Sequence, residues 1–74
     1  MKSAEIDQIL SSRLEAMGIA SNHIPRFMKD ILNSFFINPQ ANVLQINDRL
    51  RFLGWDEAEL DYYTFSLAKE SLER

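Results

Sequence analysis

The stretch IPRFMKDILNSFFINP, residues 24–39, decides how the rest of the chain is read. Ile24, Phe27, Met28, Ile31, Leu32, Phe35 and Phe36 recur with the 3.6-residue period of an α-helix. They cover about half of the helix circumference, wider than the ~100° apolar stripe of a simple surface helix. Arg26, Lys29, Asp30 and Asn33 fill the opposite side. Pro25 suits a first turn, where its missing N–H goes unnoticed, and Ser21 or Asn22 offers a cap. Asn38-Pro39 ends the helix, because a residue before proline is pushed out of the α region. A helix over 24–37 with so wide an apolar arc is expected to be central and to touch two neighbours.

Working outward, the same period appears on both sides. Upstream, Ile6, Ile9, Leu10, Leu14 and Met17 mark a helix over about residues 3–17, with Ser3 as cap and Glu5 and Asp7 near its positive end. Gly18 is placed to close it at C′, with Ile19 folding back over the last turn. Arg13 interrupts this apolar stripe. Downstream, Asn42 and Gln45 have capping-box spacing for a short helix over 43–53, whose inner face is Val43, Ile46, Leu50 and Leu53. Gly54 and Trp55 repeat the Gly-apolar ending. Asp56, Glu57 and Glu59 then predict an acidic first turn for a fourth helix over 57–73. That helix has two apolar arcs, Leu60/Tyr63/Leu67 and Tyr62/Phe65/Leu72, with Asp61 between them.

No period-2 run or hairpin dipeptide competes. The predicted fold is all-α: a compact small bundle of four helices (about 3–17, 24–37, 43–53 and 57–73), the third short, forming a single helical domain over 1–74. Its expected core is Phe27, Ile31, Leu32, Phe35, Leu50, Leu53, Leu60 and Leu67. Arg13 and Asp61 are both charges inside apolar arcs. If they form a buried pair, losing one partner would cost about 3–5 kcal/mol. Arg49 or Arg51 is an equally good partner for Asp61.

Composition narrows the function. The 74 residues include no cysteine and one histidine, which excludes a disulfide and a multi-histidine zinc cage. A chain of this size buries only about 60% of its unfolded surface, so its stability alone is marginal. No apolar run approaches the ~20 residues of a membrane span, and Glu5 and Asp7 break any secretory h-region. A cytoplasmic protein is the expectation, of a short helical type common in bacteria.

Catalysis is not expected. His23 falls in a turn with no nucleophile motif beside it, and two glycines cannot make a phosphate-binding loop. Asp56, Glu57, Glu59 and Asp61 lack the spacing of a calcium loop, so neither a cofactor nor a metal is expected.

Two binding classes remain. The surplus of aromatics around the last helix points to a protein partner, a second copy above all, giving a homodimer. Trp55, Tyr62 and Phe65 are the candidate contact residues of this non-enzymatic, self-associating interaction module. The alternative is a nucleic-acid-binding or regulatory protein that uses the 43–73 helix pair as a helix-turn-helix, with Arg26, Lys29, Arg49 and Arg51 as its basic patch. Charge weighs against that alternative: residues 54–74 carry two basic and six acidic side chains, and the whole chain is at −3.

Overall fold

The computed structural model describes residues 2–56 and 59–72, with side chains from Glu5 onward. Four α-helices and no strand are formed by these residues: α1 (Lys2–Ala16), α2 (Ile24–Ile37), α3 (Val43–Phe52) and α4 (Tyr62–Leu72). A 3-10 turn, Ser21–His23, leads into α2. None of the described helices is long and apolar enough to cross a membrane.

Local chemistry sets most of the helix ends. Asn42 accepts from the Gln45 N–H at 2.9 Å, while the Gln45 side chain accepts from the Asn42 N–H at 2.9 Å, a complete capping box on α3. Helices α1 and α3 end alike. Ile19 N–H donates to Leu14 C=O and Gly18 N–H to Glu15 C=O; Trp55 N–H donates to Leu50 C=O and Gly54 N–H to Arg51 C=O. These are Schellman endings, and they require the left-handed backbone that Gly18 (φ 100°) and Gly54 (φ 107°) supply. Helix α2 starts without the expected cap: neither Ser21 nor Asn22 caps it, and His23 at the cap position makes no side-chain capping bond. Ser3 lies within α1 rather than before it.

The fourth helix corrects the sequence reading. It begins at Tyr62, five residues later than expected. Asn47, 4% exposed on α3, holds the Leu60 backbone from both sides: its Nδ2 donates to Leu60 C=O at 3.1 Å, and its Oδ1 accepts from Leu60 N–H at 2.8 Å. This clamp ties up the Leu60 backbone groups ahead of the helix and places its side chain, 3% exposed, in the core. Asp61 then caps α4, its carbonyl accepting from Phe65 N–H and its Oδ1 from Thr64 N–H at 2.7 Å. Asp56 and Glu59 therefore precede the helix instead of opening it; the expected role of Glu57 lies outside the described residues.

The helices form two pairs. Helix α1 packs on α4, and Asp7 meets Ser71 while Arg13 meets Asp61 and Thr64, so the first and last helices run antiparallel. Helix α2 packs on α3 across the short 38–42 connection, with Trp55 returning onto Phe27. The pairs join through α2 and α4, where the Phe35 and Phe65 rings lie 5.6 Å apart. A radius of gyration of 11.2 Å matches the ~11 Å expected of a compact chain of this length.

One cluster fills the centre: Leu10 and Leu14 of α1, Phe27 and Ile31 of α2, Ile46 and Leu50 of α3, and Phe65, Leu67 and Ala68 of α4, with Ile19, Ala41 and Leu60 from the connections. Five of the eight expected core residues are there. Phe35 and Leu53 are only half-buried, and Leu32 is exposed, because it lies about 140° around α2 from Phe27 and faces the outer side.

Candidate interaction surface

The three residues expected to form an aromatic contact surface are separated by the fold. Phe65 points inward and is 6% exposed, so it is core. Trp55 is half-buried and occupied within the chain. Its ring meets Phe27 edge-on at 5.0 Å, its Nε1 donates to Asp30 Oδ2 at 2.7 Å, and the Arg26 guanidinium lies 5.7 Å from its ring centre. Only Tyr62 is presented to solvent, 73% exposed, with its ring 6.1 Å from that of Phe65.

Other side chains carry the exposed apolar surface. Phe36 (85%), Phe52 (78%), Leu44 and Ile37 project from α2 and α3, and Tyr63 joins Tyr62 on α4. Sequence reasoning missed Phe36 and Phe52, though helical geometry held the signal. Phe36 is nine residues from Phe27, about 180° around α2, and Phe52 is about 200° around α3 from Leu50. Both therefore leave the molecule on the side opposite its core. Two shallow grooves run between the helices. One of 180 Å³ between α2 and α3 is bordered by Ile37 and Arg49; another of 150 Å³ between α2 and α4 is bordered by Leu32, Phe35 and Leu72.

The basic residues divide similarly. Arg51 is tied to Asp48 at 2.6 Å. Arg49 lies 5.3 Å from the Phe52 ring centre. Arg26, Lys29 and Arg49 are exposed on α2 and α3. The expected helix-turn-helix is not formed by α3 and α4: nine residues, 53–61, separate them, where that motif uses three or four.

Arg13 and Asp61 do pair. Arg13 Nη2 meets Asp61 Oδ2 at 2.8 Å, and Arg13 Nε donates to Thr64 Oγ1 at 2.8 Å, while its guanidinium lies 4.6 Å from the Tyr63 ring centre. The pair is not buried, as the side chains are 39% and 59% exposed. The Thr64 hydroxyl and backbone N–H, and then Arg13, hold the Asp61 carboxyl below the usual carboxylate range.

Among the described residues no group of three or more His, Asp or Glu side chains is placed to hold a metal ion. His23 is exposed in its turn, its ring 6.3 Å from that of Trp55. An open bowl of 460 Å³ adjoins it, where the ends of α1 and α3 meet at Gly18, Gly54, Trp55 and Asp56.

The formal charge divides unevenly along the sequence. The α2/α3 half, residues 22–53, has four basic and two acidic side chains, net +2; the remaining residues, which include α1 and α4, have four basic and nine acidic, net −5. Compared with protein-family models, with curated proteins and with solved structures, the chain matches none.

Proposed function

We propose that this chain is a small, non-enzymatic protein-interaction module that associates with itself. The observation that carries the reading is the exposure of Phe36, Phe52 and Tyr62 at 85%, 78% and 73%. Fully burying such a side chain is worth about 1.5–3 kcal/mol, and exposed apolar groups that cluster mark partner sites. A standard interface buries about 800 Å² per partner, roughly a sixth of the 5059 Å² surface. The contact surface is thus assigned to the outer sides of α2, α3 and α4, with Tyr62 the one residue of the Trp55/Tyr62/Phe65 set that takes part. A cytoplasmic setting agrees with a chain that has no cysteine to oxidise.

Light scattering coupled to size exclusion tests this. The expected mass rises with concentration to at least twice 8.6 kDa. A constant 8.6 kDa at every concentration overturns self-association.

A second reading, nucleic-acid binding, draws on the net +2 of the α2/α3 half and on exposed Arg26, Lys29 and Arg49. It predicts retention of a labelled duplex at low salt and steep loss by physiological salt. No retention at low salt removes it.

A further inference from the structure

Independently of self-association, we propose that the bowl between the ends of α1 and α3 binds an organic cation: a guanidinium or ammonium group on a short apolar stem. At 460 Å³ the bowl is larger than the grooves between the helices, and it falls within the roughly 300–1,000 Å³ usual for small-ligand sites. Two helices bring their negative ends to it. Both α1 and α3 stop in Schellman endings, and the glycines of those endings, Gly18 and Gly54, form part of the wall. The endings satisfy the carbonyls of Leu14, Glu15, Leu50 and Arg51, while no backbone N–H of the described residues donates to those of Ala16 and Phe52. Free carbonyls at a helix C-terminus carry roughly half a negative charge and favour a nearby cation. Asp56, exposed on the bowl, adds a carboxylate, and no Lys or Arg of the described residues lines it.

Trp55 and buried Ile19 supply an apolar wall. The indole already attracts a cation of this kind. The Arg26 guanidinium lies 5.7 Å from its ring centre, in the adjacent hollow that Arg26 borders with Leu53. These groups select the chemistry of the ligand. An anion would meet a carboxylate and two negative helix ends. Calcium takes six to eight oxygens in a tight shell, whereas this wide hollow has one carboxylate and an apolar wall. A neutral apolar molecule would leave Asp56 and the free carbonyls without a partner. A cation on a carbon stem engages every part, its charge toward Asp56 and the helix ends and its stem on Trp55 and Ile19. A free small molecule and the Arg or Lys side chain of another protein both have this chemistry.

The two glycines of the chain both line the bowl, so their amide signals in a nitrogen–proton correlation spectrum report on it directly. The probe is n-butylguanidinium chloride at low salt, with n-butylurea as its neutral isostere. The expected result is a saturable shift of Gly18, Gly54 and the Trp55 indole N–H, half-complete on the order of 1 mM, with Asn47 unmoved. The urea binds at least about 10-fold more weakly. Asp56→Asn weakens guanidinium binding about 3-fold, and Arg26→Gln, which removes the neighbouring cation, tightens it about 2-fold. Both side chains are exposed, and unchanged distant signals check that the variants fold. Equal binding of guanidinium and urea makes the bowl an apolar cleft and overturns the proposal. So do shifts that are absent, that never saturate, or that are the same in Asp56→Asn. Calcium chloride moving the same signals at lower concentration than the guanidinium overturns it as well. A blocked tripeptide with a central arginine separates the two sources. Binding at least about 10-fold tighter than butylguanidinium assigns the side chain of a partner, and equal or weaker binding assigns a small molecule; either result upholds the site. A chain that is monomeric at every concentration is expected to bind the probe equally, so failure of self-association leaves this site standing.

Discussion

Arg13 on α1 and Asp61 at the start of α4 meet at 2.8 Å across 48 residues of sequence. Asp61 does two things at once: it caps α4 through Thr64 N–H and pairs with the guanidinium of the antiparallel helix. At 39% and 59% exposure, the pair itself is worth no more than about 1 kcal/mol. The cap contributes a similar amount. Asp61→Asn, which keeps a side-chain oxygen for Thr64 N–H, should cost less than about 1 kcal/mol, and Asp61→Ala about 1–2 kcal/mol. Urea titrations of the three proteins check the order; equal loss in both variants would show that the charge, rather than the cap, sets the cost.

The same carboxyl predicts part of the acid response. Its folded pKa lies below its ordinary value of 3.8, through Thr64 first and Arg13 after it. Ionised Asp61 therefore adds stability that is fully present above the unfolded pKa and is lost as pH falls through the folded one. Wild type should lose its advantage over Asp61→Asn progressively as pH falls below the ordinary carboxylate value of 3.8. Melting temperatures across that range measure the difference, and a constant gap would sink the assignment.

Trp55 and Asp30 make a second checkable contact. The indole N–H donates to the Asp30 carboxylate at 2.7 Å while the ring sits edge-on to Phe27. Trp55→Phe keeps an aromatic ring at the site and loses the hydrogen bond, for an expected cost of about 2 kcal/mol. Trp55→Ala loses both, at about 3 kcal/mol. Far-UV circular dichroism is the probe, since Trp55 is the single tryptophan. A Trp55→Phe variant as stable as wild type would mean the bond contributes nothing net.

Asn47 is the residue on which the start of α4 depends. Asn47→Ala strips partners from a buried N–H and a buried C=O of Leu60 at once. The expected loss is about 2–4 kcal/mol, a large share of the roughly 4–11 kcal/mol available to a chain of this size. Asn47→Asp restores the acceptor alone and should remain destabilised. Hydrogen exchange at Leu60 N–H reads the clamp directly: protection should vanish in Asn47→Ala, and retained protection would contradict it.

Gly18 and Gly54 hold left-handed backbone, and a Cβ at either would meet nothing within 4 Å. The penalty of Gly→Ala is then conformational alone, about 1–2 kcal/mol at each position. D-alanine, introduced by chemical synthesis, favours that backbone and should be neutral or stabilising by about 0.4–1 kcal/mol. Calorimetric melting of the L and D variants decides; equal destabilisation by both would point to crowding.

What the sequence determined by itself is what neighbouring atoms control. Helix α2 spans residues 24–37 as its period and its bounding prolines predict, and Asn42, Gln45, Gly18 and Gly54 end their helices as expected, because each acts on backbone groups within about four residues. Helix periodicity also states which side chains share a face. It does not state which face finds a neighbour, and that was decided across the chain. Phe65 became core because α2 brings Phe35 to it, while Phe36, one residue further on, was turned outward. Helix α4 starts at Tyr62 because Asn47, 13 residues before Leu60, holds that residue's backbone. The acidic cluster therefore precedes the helix it was expected to open. The antiparallel pairing of α1 with α4 rests on contacts 48 to 64 residues apart. Burial and charge pairing at that separation depend on how the helices pack together, which local pattern does not encode.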